Sequence, residues 1–270
     1  MTIRIEHVEQ DVVRIRLSNW QGRAFGYDVS AFMVRGVLVD TGFPLGRREM
    51  LAAVRSLAPR GAIVTHWHED HAGNAPQLAA MGVPLRMHDE CEAMLRARPA
   101  IALYRRSIWG RPARLVTPLI DFDPAPLEII SMPGHTTDHQ VVWDPERRIV
   151  ASGDLFLGVK VRVAHDHESP AMLIRSLRAI AALEPRVLLD AHRGGVVRNP
   201  VEMLRGKIDW MEEIIGAIVA LAEKGASERE ILRRVLGGES LVGWVSMGEY
   251  SRMAMVRTVL RERSAVTERL

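Results

Sequence analysis

Four side chains that can bind a metal ion lie within six residues of one another in this sequence. They belong to the run THWHEDHAGN, residues 65–74, and three further histidine and aspartate residues of interest occur later in the chain. Imidazole nitrogens and carboxylate oxygens suit zinc and similar divalent ions, and burying so many of them would be costly without a metal or charge partners. The sequence therefore predicts a site for two divalent metal ions, with positions left open for water, formed by His66, His68, Asp70, His71, His135, Asp154 and His192.

Four short apolar runs with the composition of buried strands end just before these residues. If the four strands lie side by side, their ends bring the metal-binding side chains into one cluster. The runs are residues 62–65 before His66, residues 127–131 before His135, residues 148–152 before Asp154 and residues 186–190 before His192.

The last third of the chain has the periodicity of helices. Apolar residues recur at helical spacing over residues 200–223, and Ser227 with Glu230 fits a capping box that begins a second helix. A third helix is predicted over residues 249–263. We therefore predict two domains, a catalytic domain over residues 1–197 and a C-terminal helical appendage over residues 198–270.

Composition restricts the classes of function. The 36 basic and 33 acidic residues give a net charge of only +3, without a basic run that would suggest a nucleic-acid partner. Charged residues at the N-terminus do not fit a signal peptide, and no segment approaches a membrane span. We expect a cytoplasmic protein that acts on a small molecule. Cys91 is the only cysteine, and its acidic neighbours predict a protonated thiol with a structural role.

The spacing and flanks of the candidate ligands resemble the metallo-β-lactamase superfamily over roughly residues 1–197. The resemblance implies an α/β fold, a four-layer αββα sandwich with the metals at one edge between two sheets, followed by the helical appendage. In related hydrolases such an appendage caps the metal site or forms a homodimer contact. The implied ligands are His66, His68 and His135 for the first ion and Asp70, His71 and His192 for the second, with Asp154 bridging both and Asp40 orienting a ligand.

The resemblance also implies the chemistry. Two divalent ions, Zn²⁺ first with Mn²⁺ or Fe²⁺ as alternatives, lower the pKa of a bridging water and polarise the substrate. A metal-bound hydroxide then attacks a carbonyl or phosphoryl centre. Asp70 would bind the second ion and also accept a proton from the attacking water.

The substrate class is indicated by residues around the ligands. Antibiotic-hydrolysing zinc β-lactamases typically have a cysteine where this chain has Asp154, which points to the wider hydrolase group. Asp138, in the run PGHTTDHQ, resembles a variant found in a thioester-cleaving member of the fold. Lactonases of the fold usually place a tyrosine between Asp154 and His192, and this chain has none there. The leading interpretation is therefore hydrolysis of a thioester or carboxylic ester.

Alternative functions stay open from the sequence. An arginine-rich segment, residues 104–114, suits a phosphodiesterase or ribonuclease of the same fold. A lactonase, an iron-dependent sulfur dioxygenase and a regulatory protein with vestigial hydrolysis are further alternatives. The unbroken ligand set argues against the last of these.

Five other residues are candidates for catalysis or substrate binding. His165 could protonate the leaving group and His167 could bind substrate, or both could lie on a solvated loop. Tyr104 and Trp109 could stack on a substrate, or they could face the core of an amphipathic helix on which Arg105 and Arg106 stay in solvent. His139 could contact substrate or, like Asp138, orient metal ligands through hydrogen bonds.

Overall fold

The computed structural model describes residues 1–24, 28–192 and 194–267 and divides the chain into two compact units. The first unit comprises residues 1–132, 137–157 and 185–200, and the second comprises residues 133–136, 158–184 and 201–270. The predicted catalytic domain, residues 1–197, thus contributes to both units. The predicted appendage, residues 198–270, lies almost entirely in the second.

The first unit contains a six-stranded sheet whose strands follow one another in chain order. They are β1 (Thr2–Glu9), β2 (Val12–Ser18), β3 (Val29–Val34), β4 (Val37–Val39), β5 (Gly61–Ile63) and β6 (Leu85–Arg86). Strands β1 to β4 are antiparallel, whereas β4, β5 and β6 are parallel. The carboxyl ends of β4 and β5 therefore lie side by side.

A second sheet of the same unit has five strands. They are β7 (Glu128–Ser131), β8 (Gln140–Asp144), β9 (Ile149–Ala151), β11 (Val187–Leu189) and β12 (Val196–Arg198). The spatial order is β12-β11-β9-β8-β7, and β9 and β11 are parallel.

The four strands predicted to precede the ligands are present, but they do not all lie side by side. Strand β5 belongs to the first sheet, while β7, β9 and β11 belong to the second, where β8 separates β7 from β9. The condition stated for one cluster, four strands side by side, is therefore not met within a single sheet. Short apolar runs identify buried strands but do not specify their neighbours.

Side-chain alternation along the strands explains how the sheets pack. Val37 and Val39 of β4 join an apolar layer with residues of the second sheet, such as Ile149 and Leu189, whereas Leu38 faces the other side. Successive side chains of a strand point to opposite faces of the sheet. Because both faces of these three-residue strands are buried, every residue in them is apolar.

Five helices and one 3₁₀ turn belong to the described part of the first unit. Met50 and Leu78, from two of these helices, pack with Leu38 in a second apolar cluster. The helices are α1 (Trp20–Ala24), α2 (Arg47–Leu57), α3 (Ala75–Ala80), α4 (Asp89–Ala97) and α5 (Leu103–Ile108), and the 3₁₀ turn is Pro44–Gly46.

The second unit is mainly helical. Its elements are the strands β10 (Ala164–His165) and β13 (Tyr250–Ser251), which pair with each other, and the helices α6 (Pro170–Ala182), α7 (Val201–Glu223), α8 (Glu228–Leu236), α9 (Leu241–Val245) and α10 (Arg252–Thr267). Ile218, Ile231 and Val256 form the centre of an apolar cluster shared by α7, α8 and α10. Ser227 caps α8 as predicted, since its hydroxyl accepts the backbone N–H of Glu230 at 3.3 Å.

Two details of the second unit differ from the sequence prediction. The third predicted helix begins at Arg252 rather than at residue 249, because Tyr250 and Ser251 pair with β10. Helix α9 was not predicted, and its Trp244 is 74% exposed. The predicted homodimer contact through the C-terminal helices stays a prediction. Within the described ranges, no helix is long and apolar enough to cross a membrane.

We predict that Ile149→Ala, in the layer between the two sheets, lowers the free energy of unfolding by about 2–5 kcal/mol, because Ile149 is buried and its loss leaves a cavity. Urea denaturation measures the change, with the slope expected to stay constant. Val116→Ala is the control, because Val116 is 75% exposed. Equal effects of the two substitutions would contradict the packing described here.

Candidate metal centre

The first group of candidate ligands lies where β5 and β9 end. His66 and His68 follow β5, Asp154 follows β9, and one nitrogen or oxygen atom of each lies within 4.8 Å of the others. All three side chains are buried. Three ligand atoms this close together can bind one metal ion.

The second group of candidate ligands contacts Asp154 of the first group. Asp70 and His71 come from the same loop, His192 follows β11, and their ligand atoms also lie within 4.8 Å of one another. Oδ1 of Asp154 lies 3.0 Å from Nε2 of His71 and 3.2 Å from Nε2 of His192. A carboxylate that belongs to the first group and contacts two ligands of the second is suited to bridge two ions. The bridging role of Asp154 stays a prediction.

His135 belongs to the second unit, in its short segment of residues 133–136. The side chain is buried, and Nδ1 lies 3.1 Å from a carboxylate oxygen of Glu168. A histidine that donates through Nδ1 presents Nε2 to a metal. Its predicted place on the first ion stays a prediction.

Asp40 fixes the start of the ligand loop. It follows β4, in the left-handed region at φ 65°, and it accepts hydrogen bonds from the backbone N–H of Thr65 at 2.8 Å and from the Thr65 hydroxyl at 2.9 Å. Its other oxygen lies 2.8 Å from Nδ1 of His71. This contact directs Nε2 of His71 toward the other ligands, as expected of an orienting residue.

His139 lies behind the ligands. Its ring is fully buried, stacks on His66 at 4.9 Å between centroids, and accepts the backbone N–H of Asp154 at Nε2 at 3.1 Å. Gly153, at φ 49°, permits this approach, because a Cβ there would lie 2.6 Å from Nε2 of His139. The contacts favour the orienting alternative for His139 over substrate binding.

Asp138 also supports the ligand loop. One carboxylate oxygen of Asp138 accepts the backbone N–H of Trp67, which lies between the ligands His66 and His68, at 2.8 Å.

Burial raises the pKa of the Cys91 thiol well above its usual value, and the carboxylates of Asp138 and Asp40 raise it further. The thiol is therefore protonated, as the sequence predicts, although these two aspartates matter more than its acidic neighbours in sequence.

Asp190 holds the backbone beside His192, a role that was not predicted from the sequence. Its Oδ1 accepts the backbone N–H of His192 at 2.8 Å, and its Oδ2 accepts that of Gly194 at 2.9 Å. The backbone carbonyl of Asp28 lies 2.9 Å from Nδ1 of His192. The signal available in the sequence was an aspartate two residues before a ligand.

The arginine-rich segment is attached to the ligand loop. Arg105 is 6% exposed, and its Nε donates to a carboxylate oxygen of Glu69 at 2.6 Å. Its guanidinium also lies 5.5 Å from the ring centre of Trp67. The expectation that Arg105 stays in solvent is therefore wrong, because a tertiary partner that helical periodicity cannot reveal neutralises its charge.

Other candidate residues have defined positions but untested roles. Trp109 packs on Phe43 at 5.1 Å between ring centroids, and Tyr104 is partly buried. His165 is partly buried on β10, with its ring 5.8 Å from that of His135, whereas His167 is exposed. The alternative in which the side chain lies in solvent therefore fits His167 and not His165. Substrate contact by these residues stays a prediction.

Electrostatic coupling links the two groups. Burial opposes charge on His192, but the carboxylates of Asp154 and Asp70 outweigh burial and raise the pKa of His192 to about 9. The pKa of His71 lies well above its usual value, since Asp154, Asp40 and Asp70 likewise outweigh burial. Burial would raise the pKa of Asp154, yet His71 and His192 hold it well below its usual value.

These residues fit divalent metal ions. The donor set consists of imidazole nitrogens and carboxylate oxygens, the ligands that zinc and related ions prefer. The pKa values show that the carboxylates favour positive charge on the buried ligand cluster, and a metal ion supplies such charge when it displaces protons from histidine. Two buried groups of three residues therefore fit a site for two ions.

We predict that Asp154→Ala lowers bound metal from two ions per chain to one or fewer, because Asp154 belongs to the first group and contacts His71 and His192 of the second. Elemental analysis after purification without added metal measures the change. Asp121→Ala is the control, since Asp121 pairs with Arg86 and is exposed. Two ions retained in Asp154→Ala would remove Asp154 from the bridging role.

Comparisons with known proteins agree with this geometry. A sequence model of the Metallo-beta-lactamase superfamily matches residues 25–192. An atrochrysone carboxyl ACP thioesterase of Aspergillus fumigatus is 29% identical over 64% of this chain and 51% of its own length. The thioesterase pkgB of Emericella nidulans is 26% identical over 85% of this chain and 66% of its own length. The chain thus spans about half to two thirds of the length of these relatives.

Solved structures show the same fold. A metallo-beta-lactamase family protein from Thermus thermophilus superposes with a TM-score of 0.69 over 95% of both chains, at 16% identity. A metallo-beta-lactamase from Pontibacter korlensis gives a TM-score of 0.60 over 78% of this chain and 99% of its own, at 18% identity. The predicted fold class is confirmed. Because the family's sequence model matches more than half of the chain, the protein belongs to the metallo-β-lactamase superfamily.

Proposed function

We propose that the protein is a binuclear metal-dependent hydrolase that cleaves a thioester or carboxylic ester of a small molecule. The observation that carries the proposal is the pair of buried histidine and aspartate groups, which Asp154 links because it belongs to the first and contacts His71 and His192 of the second. The superfamily match and two relatives named as thioesterases support it.

In this proposal each predicted ligand has one place. His66, His68 and His135 would hold the first ion, Asp70, His71 and His192 would hold the second, and Asp154 would contribute to both. When bound, two divalent ions, with Zn²⁺ favoured over Mn²⁺ or Fe²⁺, make water nucleophilic at neutral pH and polarise the substrate oxygen.

The side chains of the protein would then orient and move protons. Asp40 holds the ring of His71, and Asp138 and Asp190 hold the backbone beside other ligands. Asp70 has a carboxylate oxygen 3.5 Å from Nε2 of His192, and we propose that its carboxylate also accepts a proton from the attacking water.

His165 is proposed to protonate the leaving group. Its ring is packed between those of Tyr250 and His167, at 4.6 and 5.1 Å between centroids, so its orientation is fixed. A thiolate leaves without a proton more readily than an alkoxide, because thiols have a pKa of roughly 8.5. A general acid therefore matters more for oxygen esters than for thioesters.

The phosphodiesterase alternative loses part of its support. It rested on four arginines in residues 104–114, and one of them, Arg105, is buried against Glu69. A guanidinium that is already paired with a carboxylate is not available to bind a phosphate.

We predict that the metal-loaded protein cleaves an acyl-coenzyme A or a p-nitrophenyl ester at a rate at least tenfold above that on a lactone or bis(p-nitrophenyl) phosphate. Release of thiol or nitrophenol measures turnover, and Asp70→Asn is expected to abolish most of it. Cleavage of the phosphodiester alone would support the phosphodiesterase alternative instead.

We also predict that His165→Ala lowers kcat on an oxygen ester by roughly 10²-fold or more, lowers kcat on the matching thioester less, and leaves metal content unchanged. His7→Ala, an exposed histidine on β1, serves as the control. If kcat on both substrates is unchanged, His165 has no role as an acid.

A further inference from the structure

We propose that Glu168 is a positioning residue for His135, and that helix α10 holds Glu168 in place through Arg261 and Glu262. The inference rests on the proposed function only in taking His135 as a metal ligand. All the contacts that carry it lie within the second unit.

The inner contacts place the Glu168 carboxylate against the imidazole of His135. One oxygen, Oε1, lies 3.1 Å from Nδ1 of His135 and also accepts the backbone N–H of His165 at 3.1 Å. The side chains of His135 and Glu168 are 4% and 12% exposed. A buried carboxylate that accepts from Nδ1 selects one tautomer and one ring orientation, which leaves Nε2 to bind a metal.

The outer contacts hold the loop that carries Glu168. Arg261 donates to the backbone carbonyls of Asp166 at 2.7 Å and of Glu168 at 3.2 Å. The next residue on α10, Glu262, accepts from the Ser169 hydroxyl and from the backbone N–H of Ala171, the latter at 3.1 Å. Two consecutive residues of α10 therefore fix both sides of Glu168.

A purely structural role for these contacts makes a different prediction. If Glu168 only closes its loop, its loss lowers stability without changing the tautomer of His135. If Glu168 positions His135, its loss mixes the two tautomers and weakens one metal site. Glutamine separates the two roles further, because its amide oxygen can still accept both hydrogen bonds without a charge.

The test compares Glu168→Ala with Glu168→Gln in the full-length protein. We expect Glu168→Ala to weaken binding of one of two zinc ions by roughly ten- to a hundredfold in competition with a chelator, while the other ion binds as before. Glu168→Gln should recover most of that affinity. In the metal-free protein, ¹⁵N spectra of the histidine rings should show His135 protonated at Nδ1, and this signal should be lost in Glu168→Ala.

The outer contacts have a matched control on the same helix. Arg261→Ala and Glu262→Ala should each weaken binding of the same zinc ion by a smaller factor, about threefold to tenfold. Arg257→Ala should have no effect, because Arg257 pairs with Glu228 of α8 at 3.0 Å.

Wild-type zinc affinity together with an unchanged Nδ1–H signal in Glu168→Ala would overturn the inference. Neither measurement uses a substrate, so a protein that binds two ions without cleaving esters would disprove the proposed function and leave this inference standing.

Discussion

Buried carboxylates at the strand ends impose the constraint on which the rest of the structure depends. Asp70 and Asp154 lie among histidines with little access to water, where an uncompensated negative charge is costly. Asp154 and Asp70 raise the pKa of His192, and His71 and His192 lower the pKa of Asp154, so each negative charge here is stabilised by a neighbouring positive one. Divalent metal ions would supply such positive charge.

The supporting residues follow a common physical pattern. Three aspartates each hold one segment that carries ligands, since Asp40 accepts from Thr65, Asp138 from Trp67 and Asp190 from His192. Each carboxylate is buried and accepts a backbone N–H. It therefore fixes the position of the backbone next to a ligand and not only the ligand side chain. Orientation of this kind reduces the rearrangement needed when ions bind. The short strands carry the chain to the site, and the aspartates fix the backbone beside the ligands.

Sequence alone predicted what depends on spacing along the chain. The short interval between His66 and His71 indicated a metal site. Short apolar runs located strands such as β5, and helical periodicity located the long helix α7. It could not predict the partner of Arg105, which lies 36 residues away at Glu69. Nor could it predict the pairing of Tyr250 with His165, which moved the start of α10. Such contacts depend on tertiary packing, and local patterns do not encode them.

The most direct test of the binuclear site is anomalous diffraction from crystals of the protein, recorded at the absorption edge of the metal that copurifies with it. We predict two peaks, one beside His66 and His68 and the other beside Asp70 and His192, with Asp154 between them. A single peak, or peaks only at surface residues, would contradict a binuclear centre.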